Sequence, residues 1–564
     1  MLEVDPAPSP SDAPAAAGAD PGPAVSVEGV SKTYRVPRGG PTSVKERLAE
    51  HLRPIQYDEF RALEDVSFEV APGEFMGIVG RNGSGKSTLL KIVAGIYDAS
   101  RGCVRVSGRL SPFIEMGVGF KPDLTGRENI MLNGAMLGVS RRELRQRLPD
   151  ILAFAELEEF ADLKLKNYSS GMSVRLSFST AIHAHADVLL VDEVLAVGDA
   201  AFQEKCYEQF ERLKQEGRTV LFVTHAMDAI ERFCDRALLL DHHRVAAIGE
   251  PADIARRYAE VNRRHVEQRA RERPEAGGGP VRRPPAFRDA SKPAIYRPSA
   301  LGEGLQRFAQ LTLILSRTEI RLHYQGSVLG YLWSILRPLA LFAVLYTVLS
   351  RAAGFGRGVE DYGVYLLAGI VLWTFFAETT GGGVASLVKS SALLRKLRFP
   401  RLAIPLSIAG KATFNLGMNA LALVVFIAIA GVAPRLSWLE LPLLVAILAT
   451  FATGIAMALS ALYVRYRDTQ QAWQVALQLL FYSSPILYVA DFYPSGVKEV
   501  LALSPLSAIF TEMRHALLDP TAPTAATAAG GTEMLLVPVG IVLVSFAGGL
   551  WLFLREAPFV AERL

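Results

Sequence analysis

The sequence predicts two unlike halves, an α/β P-loop domain followed by an all-α domain of six transmembrane helices. Two observations carry this. From Val25 to about Gln268, short β-rich runs (FMGIVG, DVLLVDE, TVLFVTH, RALLLD) alternate with polar-apolar helical stretches, the pattern of a sheet covered by helices. Six apolar runs follow, most of about 20 residues or more, the length a helix needs to cross a bilayer. Half of the 564 residues are hydrophobic, but the charges gather in the first half and the long uncharged runs in the second.

Residues 1–24, rich in Pro, Ala and acid, lack the basic and apolar regions of a signal peptide and are expected to be disordered, leaving the first domain in the cytosol. That domain is expected over residues 25–262, with a basic insertion from Val36 to Arg61. Residues 263–300 are dense in Arg, Pro and Gly, cannot bury a core, and read as a linker. The membrane domain, residues 301–564, opens with Leu305–Gln325, whose apolar and basic residues alternate at helical spacing. This suits an amphipathic helix in the membrane interface, in contact with lipids. The spans are expected near Tyr331–Ser350, Val364–Leu387, Ile404–Val432, Leu439–Val464, Trp473–Val489 and Met534–Leu554.

Lys389, Arg395, Lys396, Arg398 and Arg401 follow span two, Arg465 and Arg467 follow span four, and Arg555 follows span six. The positive-inside rule puts those loops in the cytoplasm, and a cytoplasmic membrane is the expected location. The segment SPLSAIFTEMRHALL, between spans five and six, is expected to be a re-entrant or interfacial helix on the outer side. A net charge of only +4 gives no case for nucleic acid as a partner. Cys103, Cys206 and Cys234 are isolated, which supports neither disulfides nor a zinc site.

The most specific motif is GRNGSGKST, directly after the strand-like FMGIV. Gly80, Asn82, Gly83, Ser84, Gly85, Lys86, Ser87 and Thr88 form a phosphate-binding loop. The glycines let the backbone curl its N–H groups toward phosphate, and the next helix points its positive end the same way. Lys86 reaches the β- and γ-phosphates of ATP, and Ser87 offers a hydroxyl to Mg²⁺. In VLLVDE an apolar strand ends on Asp192, the expected second metal ligand, and Glu193, placed to act as general base toward water. His225, closing TVLFVTH, stands at another strand end, within expected reach of the γ-phosphate. Tyr34 is a candidate ring for stacking on adenine.

The P-loop, the run SSGM, the acidic strand end, the turn VGD and the late histidine, in that order, resemble the ATPases of ABC transporters. The resemblance implies that Ser169, Ser170 and Gly171 are the signature motif, which binds the γ-phosphate held by an opposite subunit. It also implies that Asp199 is the D-loop residue. No glutamine stands where that family carries its Q-loop; Glu115 is the nearest residue. One P-loop and one signature in one chain imply a homodimer with two composite sites.

SSGM, EVLAVGDAAF and GFKPDLTGREN are similar to the ATPases of O-antigen, capsule and teichoic-acid exporters. RTEIRLHYQGSVLGYLWSILRPL, LLRKLRFPRLAIPLS and RYRDTQQAWQVALQLLFYSSPILY resemble their permeases, a type 2 ABC exporter fold, here fused behind the ATPase. The resemblance implies ATP-driven export of a lipid-linked polysaccharide. The family's entry gate for the lipid headgroup, at the ATPase–membrane boundary, makes Arg317, Arg321 and Arg337 candidate headgroup contacts. Leu393–Pro400, basic and apolar between spans two and three, is a candidate coupling segment. Aromatic rings suit sugar faces, which makes Trp333, Trp373, Phe375, Phe376, Tyr482 and Tyr488 candidates to line a glycan channel. Export of drugs or lipids is the competing reading within transport. A soluble-type ATPase on a membrane anchor and a nucleotide-gated channel are the others.

Overall fold

A computed structural model describes residues 22–37, 57–113, 119–184, 186–192, 200–224, 226–271, 305–324, 330–352, 361–489 and 500–563. Four residues singled out above, Glu115, Glu193, Asp199 and His225, lie outside these, as do most of the tail, insertion and linker.

The ATPase half is built on two sheets. Strands β1 (Val25–Pro37), β2 (Tyr57–Val70) and β4 (Arg101–Val106) form an antiparallel sheet in the order β2-β1-β4. Strands β3 (Phe75–Gly80), β5 (Leu110–Phe113), β6 (Val188–Asp192), β7 (Thr219–Val223), β8 (Arg236–Asp241) and β9 (Arg244–Gly249) form the second, in the order β5-β6-β7-β3-β8-β9. Its first five strands run parallel, and β9 pairs antiparallel with β8. Central strands buried on both faces explain the unbroken apolar runs FMGIVG and TVLFV, every residue of which is buried. The P-loop helix α1 (Lys86–Val93) lies between the two sheets, where Leu89, Leu90, Ile92 and Val93 share one core with β1, β3 and β8.

Helices α2 (Gly126–Met136), α3 (Arg141–Ala155) and α4 (Ser170–Ile182) form a helical layer beyond the β5 edge. The first of them starts on a capping box. The Thr125 hydroxyl accepts from the backbone N–H of Glu128, and the Glu128 carboxylate accepts from that of Thr125. Helices α5 (Ala200–Gln215), α6 (Met227–Phe233) and α7 (Pro251–Arg271) complete this half. Cys206 and Cys234 are buried, and burial pushes both thiols up to about 12, so they are small core residues rather than nucleophiles.

The membrane half contains α8 (Leu305–Tyr324), α9 (Leu332–Tyr346), α10 (Tyr362–Val384), the short turns α11 (Ser386–Lys389) and α12 (Ser391–Leu394), α13 (Ala403–Ala430), α14 (Leu441–Arg465), α15 (Thr469–Ser483), α16 (Pro505–Leu517), α17 (Ala525–Ala528) and α18 (Leu536–Arg563). Among the described residues five helical segments are long and apolar enough to cross a membrane, those built on α9, α10, α13, α14 and α18.

The fifth expected run differs. Its helix, α15, has 15 residues and stops at Ser483, because Pro485 bars helical geometry at the residue before it. The chain then continues as non-helical, buried backbone through Leu487. Backbone carbonyls at membrane depth need donors, and α10 supplies them. Tyr362 donates to the Leu487 carbonyl at 2.6 Å, and Tyr365 donates to those of Pro485 and Tyr488.

Candidate functional site at the P-loop and the membrane seam

The P-loop sits between the buried end of β3 and the start of α1. Gly83 and Gly85 have φ of +83° and +107°, values that favour glycine. A Cβ on Gly80 would lie 2.3 Å from the Leu240 carbonyl oxygen, and one on Gly85 would lie 2.4 Å from that of Ala62. The loop is therefore closed in by backbone, and substitution there moves the cradle itself. Lys86 is buried, and its ammonium donates to the carbonyls of Gly80 (2.6 Å) and Arg81 (3.0 Å). The buried Ser84 hydroxyl has no hydrogen-bond partner among the described residues. Asn82 is exposed at the mouth of the loop.

The Ser87 hydroxyl donates to the Asp192 carboxylate at 3.3 Å. Strand order brings this about, since β3 and β6 flank β7 and their C-terminal ends lie side by side. Tyr34, on β1, hydrogen-bonds Thr88 of α1 and meets Tyr97 edge-on, with ring centroids 6.2 Å apart. Burial raises its hydroxyl pKa well above the ordinary value. A buried ammonium, an orphan hydroxyl and positive-φ backbone around one loop suit a polyphosphate. A hydroxyl and a carboxylate in contact are a hard-oxygen donor set of the kind Mg²⁺ takes.

Ser169 caps α4, its hydroxyl accepting from the Met172 N–H at 3.1 Å. Ser169 and Ser170 are exposed and Gly171 is half-buried. This helix packs on α2, α3 and β5, whereas α1 packs on β2, β3 and β4. The P-loop and the SSGM run thus belong to different layers of the chain.

The ATPase and membrane halves meet along a dense seam. The segment after α12 is pinned by Leu393, Leu394, Leu397 and Phe399, buried in one core with Met136, Phe113 and Leu124 of the ATPase. The ATPase side of the seam is the GFKPDLTGREN segment. Asn129 holds it by accepting from the Lys121 N–H at 2.7 Å and donating to the carbonyls of Lys121, Leu124 and Thr125. Glu128, already in the capping box, also pairs with Arg321 of α8.

Above the seam lies a cavity of about 470 Å³ between α8, α9, α10 and α13. Lys121, Arg337, Lys389 and Lys411 line it, with Glu319, Glu378 and His323. Glu378 and Lys411 are the sole charged residues of α10 and α13. At 1.5 Å per residue they stand about 9 and 12 Å from the cytoplasmic-side helix ends. Asn415 donates to Glu378 at 2.7 Å and accepts from the Tyr324 hydroxyl at 2.7 Å. No sequence motif marks this network; its one signal in the sequence is a lone charge inside an apolar run.

The remaining candidates from the sequence fall as follows. Trp373, Phe375 and Phe376 are buried within the protomer; Trp373 packs on Phe481 at 5.3 Å and Phe376 on Phe451 at 5.7 Å between ring centroids. The reason is that α10 is the central helix, surrounded by α9, α13, α14 and α15. Trp333 and Tyr482 are exposed at 50% and 65%. Tyr488 is half-buried, its hydroxyl bonded to the Tyr482 carbonyl. Arg321 pairs with Glu128 across the seam. Arg317 and Arg337 remain exposed.

Comparison with known proteins matches residues 63–196 to the ABC transporter family and residues 310–518 to the ABC-2 type transporter family. An O-antigen export system ATP-binding protein, RfbB of Klebsiella pneumoniae, is 42% identical over 242 residues, 42% of this chain and 98% of that protein. The chain belongs to the ABC transporter family. ABC transporter protein AbcA of Aeromonas salmonicida is 44% identical over 250 residues, 44% of this chain and 80% of the relative. The teichoic acids export ATP-binding protein TagH of Listeria monocytogenes is 37% identical over 236 residues, 42% of this chain and 70% of the relative. This ABC transporter is thus a nucleotide-binding ATPase coupled to transport, fused in one chain to an ABC-2 type membrane domain.

Proposed function

We propose that two copies of this chain export a polysaccharide carried on a lipid diphosphate, such as undecaprenyl diphosphate, across the cytoplasmic membrane, driven by ATP hydrolysis. The observation that carries the reading is the pairing within one chain. An ATPase 37–42% identical to proteins named for O-antigen and teichoic-acid export is joined to an ABC-2 type membrane domain. Bound Mg-ATP supplies the phosphoanhydride whose cleavage releases the energy. Lys86 holds the β- and γ-phosphates, Ser84 and the glycine backbone line the cradle, and Ser87 with Asp192 holds the cation. Glu193 takes a proton from the attacking water, and His225 orients the γ-phosphate. Ser169, Ser170 and Gly171 of one copy close on the ATP of the other, and Asp199, as D-loop residue, communicates across the same interface.

The basic loops place the ATPase in the cytoplasm. Leu393–Pro400 couples its closure to the membrane helices. Arg337, with Arg317 near the entrance and Lys389 and Lys411 inside the 470 Å³ cavity, meets the phosphate-bearing end of the lipid. Trp333 and Tyr482, with Tyr488, offer rings to the glycan.

The test replaces the native protein with Glu193→Gln in cells and compares interior and exterior lipid-linked glycan by labelling before and after permeabilisation. Accumulation inside with loss of the exterior pool supports the reading. An unchanged distribution with a dead ATPase overturns it in favour of a drug or lipid cargo.

A further inference from the structure

The end of the last membrane helix reaches the nucleotide site by a route separate from the Leu393–Pro400 segment. Lys32, on β1, is buried, with 5% of its side chain exposed. Its ammonium donates to Glu562 of α18 at 2.6 Å and to the Asp98 carbonyl at 2.7 Å. It also stands 5.1 Å from the centroid of the Tyr34 ring. Tyr34 in turn bonds Thr88 of the P-loop helix. Asp98 and Tyr97 belong to the turn leaving that helix, where Ile96 donates its N–H to the Lys91 carbonyl at 2.8 Å. Arg401, just past the seam segment, reaches the Ile96 carbonyl of the same turn at 3.4 Å. Val560 and Ala561, beside Glu562, are buried, which fixes the helix end in place.

An ammonium this deeply buried needs its partners. The Asp98 carbonyl is a neutral acceptor, so the Glu562 carboxylate is the charge that keeps Lys32 over the ring. We infer that Glu562 is a positioning residue for nucleotide binding: through Lys32 it sets the Tyr34 ring, so the last membrane helix tunes the affinity of the ATPase for the adenine end of ATP. The inference rests on the stacking role of Tyr34 and goes beyond it by making a membrane helix part of the adenine site. Glu562 itself touches no nucleotide.

The experiment measures KM for ATP and kcat of the purified full chain for Tyr34→Ala, Glu562→Gln, Lys32→Met and the Lys32→Met/Glu562→Gln double variant. Glu562→Gln is expected to raise KM about three- to ten-fold, the span of one aromatic contact held or lost, with kcat within about two-fold of wild type. The double variant is expected to show no more than the larger single effect, since two residues acting as one unit are not additive. It also leaves no buried charge without its partner, so it folds and decides the matter, against Lys32→Met, if Glu562→Gln does not. An unchanged KM in Glu562→Gln, a fall in kcat at constant KM, or multiplying effects in the double variant overturns the inference. An unchanged KM in Tyr34→Ala removes the stacking reading and this inference with it. A raised KM there with none in Glu562→Gln removes this inference alone. Neither outcome bears on the cargo, because no transport is measured.

Discussion

Leu393→Ala separates hydrolysis from transport. Leu393 is buried at the seam, its Cδ2 lying 3.2 Å from where a Cβ on Gly119 would stand. It lines both the 470 Å³ cavity and a second of about 150 Å³ beside Phe120 and Lys396. Truncating a buried leucine costs about 2–5 kcal/mol. The lower end applies here, because space already adjoins the side chain and the new void joins it. About 2 kcal/mol shifts the docking of segment 393–400 on the ATPase by roughly 30-fold. The P-loop, in a separate core, is untouched. ATP turnover of the purified protein is therefore expected to stay within about two-fold, while export per ATP hydrolysed falls at least as far as docking does. Surface glycan in cells, divided by turnover in isolated membranes, reads the ratio. Export falling only in proportion to turnover, or unchanged export from a folded protein, would refute the reasoning.

Other outcomes follow from the same geometry. Lys86→Met removes the buried ammonium at the phosphate loop and is expected to abolish binding of a fluorescent ATP analogue, whereas Glu193→Gln keeps binding and loses turnover. Asn415→Leu strands the Tyr324 hydroxyl and the Glu378 carboxylate and is expected to lower stability by about 1–2 kcal/mol, given that polar contacts between membrane helices are individually modest; a thermal scan in detergent checks it. His183 is mostly buried, and burial lowers its pKa. The folded state then binds fewer protons than the unfolded one, so its contribution is fully present above the unfolded value of about 6.5 and is lost as pH falls below it. Melting temperature of the ATPase transition is expected to drop faster below that pH in wild type than in His183→Phe.

The parts legible in sequence are those whose chemistry is local. The nine residues GRNGSGKST and the strand VLLVD carry their own geometry, and the sheet brings Ser87 to Asp192 because the loop after β3 and the end of β6 lie on the same edge of the sheet, either side of β7. Helix burial was not legible. Span two is apolar on every side apart from Glu378, and that one charge does not tell which of its rings pack at the centre of a bundle. The break in the fifth run was written in Ser484–Pro485, but average hydropathy does not register a proline. The seam was hidden for another reason. Lys32 and Glu562 are 530 residues apart in sequence, and neither belongs to a motif. In sequence Arg321 is one basic residue of an amphipathic helix, and only the fold brings it to Glu128.

Complementation between two dead variants tests the central claim most directly, that two copies of this one chain form the exporter. Lys86→Met disables the P-loop of its own copy. Gly171→Asp disables the signature, and a Cβ at Gly171 meets only the Ser169 hydroxyl oxygen, at 3.8 Å, so the change is tolerated within the protomer. A mixed pair keeps one intact composite site, built from the P-loop of one copy and the signature of the other. The account predicts no surface glycan from cells carrying either variant alone and partial recovery from cells carrying both. Export by the Gly171→Asp protein alone, or no recovery in a mixed pair shown to assemble, would contradict it.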